Sequence, residues 1–553
     1  MSESVGGSRE RRSGLILGLC LLLGGALALR NRFVLDDAFI SFQYARSLAE
    51  GSGLTWFGTR IEGYTNFLWV LWITLGLRLG ADAVVWAHIG SIGAFLAAIV
   101  AYWELAHAML ASRLAGTAAV VLFVTNYSVA CFATSGLETM LQTACLTGAA
   151  ALVYAMWDEG RVTMPLGLGF SLLAALATLT RLDSLLPLAV LAGTLVLALP
   201  RSAWRRRGLM WLLVPGLMLV VPWLAWKLVY YGRLFPNSFY AKAGGTGDMA
   251  LNGLLYLGRF LQWYWLWPVI ALSAVVCVAR RQVLPSRLLP PIVIVGTWFL
   301  YIVWAGGDFM EFRFLVPVAP FLFLVIAYGI HRTLGVVAFG RPALATAALT
   351  ALLVLASARH AATFRGCTKD LSLDSIPALA NFYGVYEDGN WGRIGRGLRR
   401  EVGDLQSVLA LHAVGAVPYY GRLRTVDIFG LNEPGIEAVG LRAPAGFRRP
   451  GHQRQVPIRY LRERGVNFVL GHPKVIPRGS LRTLAGTDQI AHWLAACVGY
   501  EPEPPARATL VAIPIDPGHA LVAWYLAATP SIDRRIRERG WELVELRSGE
   551  GPK

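Results

Sequence analysis

Two carboxylates stand side by side at Asp36 and Asp37, just after the first apolar segment and at the head of the amphipathic stretch DDAFISFQYARSLAEG. A carboxylate at a bilayer edge loses hydration unless a cation, a hydrogen-bond donor or a substrate compensates it. An acid pair in that position reads as a functional site ahead of a simple helix cap. An ionised carboxylate within reach of a sugar hydroxyl suits general-base removal of a proton from an alcohol attacking an activated carbon. Adjacent helical residues point about 100° apart, so the two acids do different jobs. The sequence does not say which is the base.

Other polar clusters sit at segment edges, each with a structural reading beside the functional one. In EGYTNFLW, Glu62, Tyr64 and Asn66 form a turn that either contacts substrate or caps the following apolar helix. Glu138 in SGLET starts a span, as a site residue or as a partner of the helix dipole. Arg181 and Asp183 in TRLD either pair between two spans or meet substrate. The segment YYGRLFPNSFYAK offers Arg233, Asn237 and Lys242 among aromatics, and its cations suit a lipid phosphate. In GGDFMEFRF, Asp308 precedes Arg313, which either binds phosphate or pairs with Asp308 or Glu311. His452 lies in an arginine-containing stretch that either faces an acceptor or is a solvated loop.

The elements that must position these residues are membrane spans. The 553 residues are 55% hydrophobic and 15% charged, with 19 Trp, which would demand an implausibly large core in a soluble protein. Apolar segments of spanning character fall at 14–30, 66–80, 83–106, 114–131, 138–157, 163–179, 184–199, 209–229, 256–279, 288–305, 314–331 and 342–358. Segment 66–80 is short for a crossing. If it is re-entrant or interfacial, eleven crossings place nearly every basic loop cluster on the side of a cytoplasmic N-terminus. The acid pair, SGLET, TRLD, YYGRLFPNSFYAK and GGDFMEFRF then share the opposite face. The formal charge of +17 therefore reports topology, and a nucleic-acid partner is set aside. The basic N-terminus followed by an apolar run reads as an uncleaved first helix.

The expected architecture is an all-α polytopic membrane domain over 1–358, with the first outer loop at 31–65, followed by a soluble extracytoplasmic α/β domain over 359–553. In the latter, SVLALHAVGAVPYYG, LRTVDIFGL and GVNFVLGHP read as buried strands followed by loops or helices. Its two cysteines, Cys367 and Cys497, are within the reach of a disulfide expectation for an extracytoplasmic domain. No cysteine spacing resembles a zinc site.

Taken in order, LDDAFISFQYARSLAEG, EGYTNFLW, SGLET, FPNSFYAK, GGDFMEFRFLVP and VDIFGLNEPGI resemble the GT-C class of integral membrane glycosyltransferases. Within that class the chain is most similar to the terminal arabinofuranosyltransferase family and its bacterial relatives, over most of its length. The resemblance implies a catalytic aspartate in the first outer loop, here Asp36 or Asp37, and a polyprenyl-phosphate sugar donor, with arabinofuranose as the sugar. It implies inverting transfer to an envelope glycan or lipid acceptor, which the soluble domain helps receive. Arg313, Lys242, Arg233 and Arg181 would hold the donor phosphate. Glu62, Tyr64, Asn66, Glu138, Asn237, Asp308 and His452 would line the substrate sites. The sequence specifies no cofactor, and the resemblance permits a divalent cation on Asp36, Asp37 and Glu138. The rival readings are a transporter or flippase of lipid-linked sugar and a non-catalytic envelope-assembly partner. An enzyme requires the acid pair and Arg313 in one outer cavity.

Overall fold

The computed structural model describes residues 2–553 except 111, 205, 243–246, 282–283, 338–340, 369–372, 384–390, 445, 447–448, 502–506 and 548–553. Side chains at 2–11, 242, 247, 337, 382–383 and 547 are also outside the described set.

The first two-thirds of the chain is helical. Helices α1 (Ser2–Arg30), α2 (Asp36–Ala49), α3 (Phe67–Arg78), α4 (Ala83–Met109), α5 (Arg113–Thr125), α6 (Tyr127–Phe132), α7 (Thr139–Glu159) and α8 (Met164–Thr180) come first. They are followed by α9 (Leu185–Ala198), α10 (Arg206–Tyr231), α11 (Asn237–Lys242), α12 (Gly247–Trp263), α13 (Leu266–Ala279), α14 (Leu289–Ala305), α15 (Ala319–Val337) and α16 (Pro342–Thr363). Their ends follow local chemistry. The Asp82 carboxylate accepts from the Val84 and Val85 amides to open α4, and Gly160 closes α7 in the left-handed conformation.

Among the described residues, seven helices are long and apolar enough to cross a membrane, or eight if the bent pair formed by α12 and α13 is one span. The chain is thus a multi-pass membrane protein. Two expected segments differ from single straight spans. The 256–279 segment turns by 89° between α12 and α13, at Trp265 with φ 54°. The 114–131 segment breaks at Asn126, whose side chain accepts from the Val129 amide and starts α6. Helix α3 has 12 residues, about 18 Å at 1.5 Å per residue, well below a hydrocarbon core of roughly 30 Å.

Beyond α16 the chain forms strands β1 (Cys367–Thr368) and β2 (Leu373–Asp374), helices α17 (Ile376–Tyr383), α18 (Trp391–Val402) and α19 (Ala416–Gly421), and strands β3 (Leu409–Leu411) and β4 (Thr425–Asp427). Strands β5 (Leu441–Arg442), β6 (Arg454–Gln455), β7 (Phe468–Pro477), β8 (Arg507–Pro514), β9 (His519–Tyr525) and β10 (Leu543–Arg547) follow. Six of these make one mixed sheet in the order β10, β8, β9, β7, β3, β4. The β7–β3–β4 pairings are parallel and the others antiparallel. The three sequence stretches read as strands are the three parallel ones.

Strand periodicity orients the sheet. Leu409 and Leu411, Phe468 and Leu470, and Val511 and Ile513 point to one side, where with Ile394, Leu398 and Val417 they join the apolar core that continues into the membrane helices. Val408, Ala410, Val469, Leu510 and Ala512 face a second core against Ile490 and Trp493. The domain is therefore fixed onto the membrane helices through one sheet face. Cys367 is exposed, Cys497 is buried in the second core and both are free thiols, so the disulfide that the sequence left open is not formed.

Candidate active site

The acid pair opens α2, and the sheet domain decides what each acid does. Asp36 is buried, and its carboxylate accepts the Ala416 amide at 2.6 Å and the Gly415 amide at 2.9 Å. A Cβ on Gly415 would lie 1.9 Å from the Asp36 carbonyl oxygen, so only glycine permits this approach. Burial pushes Asp36 up to about 7, against the two amide bonds and with the adjacent Asp37 charge adding to it. Asp36 is thus a clasp between the start of α2 and α19.

Asp37 instead lines two adjoining cavities. One, with about 690 Å3 of empty space including its open mouth, lies between α2 and the sheet domain and is walled by Trp391, His412, Phe429, Arg449, His452 and His472. It opens beyond the carboxyl ends of the parallel strands: His412 follows β3, Phe429 lies two residues past β4, and His472 follows the stretch of β7 paired in parallel with β3. The other cavity contains about 1470 Å3 of empty space, its open mouth included, and is lined by Asp37, Arg181, Asp308 and Arg313 with Phe235, Phe239, Trp304 and Phe314. Trp304, Phe235 and Phe239 are exposed, giving that mouth an apolar, aromatic rim.

The guanidinium groups of the larger cavity are held by acids. Arg181 donates to Glu138 at 3.0 Å and to both oxygens of Asp183, with the shortest contact 2.6 Å. Glu138 accepts from Asn66 at 2.6 Å on its other oxygen, and Asn66 accepts from Ser41. Arg313 donates to Asp308 at 2.7 Å. These pairings fix the guanidinium planes while both residues keep part of their surface on the cavity. Gly306 and Gly307, at φ 82° and 76°, make the turn that brings Asp308 to Arg313.

The GGDFMEFR loop is in turn stapled to the sheet domain. Asp374 donates its amide to the Phe309 carbonyl, and the Glu311 amide donates to the Asp374 carbonyl. The fully buried Glu311 carboxylate contacts His360 Nε2 at 2.8 Å and accepts the Ile376 amide at 2.8 Å.

Several expected substrate residues are instead joints between loops. Asn237 Nδ2 donates to the carbonyls of Gly430, Leu431 and Glu433, while its backbone N–H donates to the Glu62 backbone carbonyl. Glu62 pairs with Lys227 at 2.8 Å, and Tyr64 meets Tyr231 at 3.2 Å between hydroxyls. Arg233 pairs with Glu437 at 2.6 Å and lies over Tyr240, and it is not a wall of either cavity. The Lys242 side chain lies outside the described residues. Asp427 accepts the amides of Phe429, Gly430 and Asn432, shaping the FGLN loop that carries Phe429 and Leu431 into the smaller cavity. Of the residues expected at the site, Asp37, Arg181, Asp308, Arg313 and His452 line the cavities, joined by Asp36 at the edge of the smaller one.

The suggested cation set does not fit. Asp36 is committed to two amides and Glu138 to Arg181 and Asn66, and among the described residues no three His, Cys, Asp or Glu side chains are grouped to hold a metal ion. Sequence reasoning passed over Trp391, His412 and His472, and reached Arg449 only as a member of the arginine-containing stretch around His452. The available signal was topological, because ligands of parallel sheets gather beyond the carboxyl ends of the strands.

Comparison with known proteins places this geometry. A family described as "Domain of unknown function (DUF8728)" matches residues 381–522. The terminal beta-(1->2)-arabinofuranosyltransferase of Mycobacterium tuberculosis is 28% identical over 340 residues, covering 54% of this chain. The match spans about half of that relative, 53% of its length. ArnT from Cupriavidus metallidurans bound to undecaprenyl phosphate superposes with a TM-score of 0.53 at 16% identity, over 93% of this chain and 98% of that one. AglB of Archaeoglobus fulgidus, in complex with an inhibitory peptide and a dolichol-phosphate, gives 0.51 at 10% identity over 93% and 74%. Arabinofuranosyltransferase AftD from Mycobacteria gives 0.51 at 14% identity over 94% and 42%. The chain has the fold of these membrane glycosyltransferases, and the resemblance carried by its motifs is borne out.

Proposed function

We propose that this protein transfers a sugar from a polyprenyl-phosphate donor to an extracytoplasmic glycan or lipid acceptor, with inversion and with Asp37 as general base. The observation that carries the reading is the position of Asp37, on the wall of both cavities. The larger cavity, with its aromatic mouth and two oriented guanidinium groups, suits an isoprenoid phosphate. The smaller one, under the sheet domain, suits the acceptor. In the transfer step the acceptor hydroxyl oxygen forms a bond to the anomeric carbon. The bond from that carbon to phosphate oxygen breaks, its electron pair leaves on polyprenyl phosphate, and the hydroxyl proton passes to Asp37. Arg313 and Arg181 stabilise the charge gathering on the leaving phosphate. Arabinofuranose is the proposed sugar, on the likeness to the mycobacterial relative.

The site lies on the outer face. Eleven crossings follow if the seven long helices, the bent pair and the shorter helices α5, α8 and α9 all cross, with α3 interfacial. The N-terminus is then cytoplasmic and the domain from 359 extracytoplasmic.

The test is transfer from a panel of defined polyprenyl-phosphate sugars by purified wild type, Asp37→Asn and Asp36→Asn. Asp37→Asn is expected to lower kcat by at least about 100-fold while remaining folded. Wild-type rates from a folded Asp37→Asn protein would overturn the assignment.

A further inference from the structure

Asp37 lines both cavities, and the smaller one has an open mouth. A carboxylate placed to take a proton from an acceptor hydroxyl can take one from water as well, and water is far more concentrated than any glycan. In that side reaction the water oxygen forms a bond to the anomeric carbon. The bond from that carbon to phosphate oxygen breaks with its electron pair leaving on polyprenyl phosphate, one water proton passes to Asp37, and the activated sugar is lost as free sugar. Selective transfer therefore needs a group that keeps water away from the anomeric carbon.

The junction of the cavities is where such a group would act. Among the described residues, three line both cavities: Asp37, Phe309 and Gly451. Gly451 brings no side chain, which leaves Phe309 beside the carboxylate. The chain passes from one cavity to the other at this residue, because Gly307 and Asp308 line the larger and Met310 the smaller. The Phe309 ring stands against walls of the smaller cavity, with the Arg449 guanidinium 5.0 Å from its centroid and His452 edge-on at 5.6 Å. Phe309 is half-buried, unlike the core residues Met310 and Phe312 close by, so it keeps surface for the cavities.

Phe309 is also held at both ends. Its carbonyl accepts the Asp374 amide at 2.8 Å, and the Asp374 carboxylate pairs with Arg449 at 2.9 Å. A guanidinium within about 6 Å of an aromatic centroid is attracted to the ring face. One residue of the sheet domain thus fixes both the backbone of Phe309 and the cation at its ring.

We infer that Phe309 is a specificity-determining residue, whose ring fills the junction beside Asp37 and excludes water, so that the donor sugar passes to the acceptor and not to water. An apolar ring offers water no hydrogen bond, whereas the acceptor hydroxyl is carried in by the binding of its glycan. The inference rests on the glycosyltransferase reading and names what suppresses hydrolysis at that site.

The experiment uses the full-length protein, the donor of the panel that the wild type turns over fastest, expected to be polyprenyl-phosphate arabinofuranose, labelled in its sugar, and an octyl arabinofuranosyl disaccharide. Labelled glycoside and free labelled sugar are measured together, with and without the acceptor. The wild type is expected to release little free sugar in either case. Phe309→Ala should raise the ratio of free sugar to glycoside at least about tenfold, and Phe309→Leu, which keeps apolar bulk, about threefold. Release without acceptor should rise in the same order. A purely structural defect lowers both products in parallel and leaves their ratio unchanged. A wild-type ratio and wild-type acceptor-free release in folded Phe309→Ala, or in Phe309→Leu if the alanine variant does not fold, would overturn the inference. Failure of the wild type to release polyprenyl phosphate from any donor in the panel would instead overturn the glycosyltransferase reading.

Discussion

Asp36 and Asp37 are chemically identical neighbours that the fold puts to different uses. Asp36 spends both oxygens on the amides of Ala416 and Gly415, so Asp36→Asn turns an amide NH2 towards a backbone N–H. That substitution is expected to lower the Tm more than Asp37→Asn does, by the equivalent of about 1–3 kcal/mol, in thermal unfolding followed by intrinsic fluorescence. The pH dependence has a definite sign. Burial raises the folded-state pKa of Asp36 from 3.8 to about 7, so the folded protein holds this proton more tightly than the unfolded chain does. The resulting stabilisation is complete below the unfolded value and is lost as pH rises through about 7. The advantage of wild type over Asp36→Asn should therefore be larger at pH 5 than at pH 8, by about 3 kcal/mol at ~1.4 kcal/mol per pH unit over the two units below about 7. His412 and His472, which burial keeps neutral, are common to both proteins and drop out of that difference. A gap that grows towards pH 8 would refute the assignment.

Elements, rather than single residues, explain why so many polar motifs sit in this sequence. EGYTN, FPNSF and VDIFGLNEPG meet as one joint: the Tyr44 hydroxyl lies within hydrogen-bond distance of both the Ile61 carbonyl and Asn432 Oδ1, and Asn237 spans three carbonyls of the loop after β4. The GGDFMEFR loop is held in the same manner by β2 and the buried Glu311. Glu311→Ala leaves the Ile376 amide and His360 without this partner inside the core, a loss expected to cost about 3–5 kcal/mol and to loosen 306–313 in hydrogen exchange. Unchanged exchange there would mean that Gly306 and Gly307 alone hold the loop. Gly415→Ala should be as damaging at the α2–α19 contact, since its Cβ would collide with the Asp36 backbone. Limited proteolysis between α16 and α18 provides the readout.

For the whole molecule, orientation is the decisive property. In a Cys367→Ser background, a membrane-impermeant thiol reagent applied from outside is expected to label Gly486→Cys in the sheet domain and not Ser202→Cys between α9 and α10. Labelling of Ser202→Cys instead would invert the topology. In the unmodified folded protein Cys367 should alkylate while buried Cys497 does not, and reducing agent should leave the Tm unchanged. Much of the molecule was legible beforehand, because membrane helices and central parallel strands are written as continuous apolar runs. The acid pair was legible because charge at a bilayer edge is costly. The bend at Trp265 and the break at Asn126 were not, since both lie inside runs of uniform hydropathy. The division of labour between Asp36 and Asp37, the conversion of Asn237, Glu62 and Tyr64 from expected ligands into joints, and the imidazole cavity depend on partners hundreds of residues away. Apolar patterning along the chain set which segments enter the membrane and which form the sheet. Only the docking of that sheet onto the start of α2, by the amides of Gly415 and Ala416, decided which carboxylate is held in hydrogen bonds and which faces both cavities.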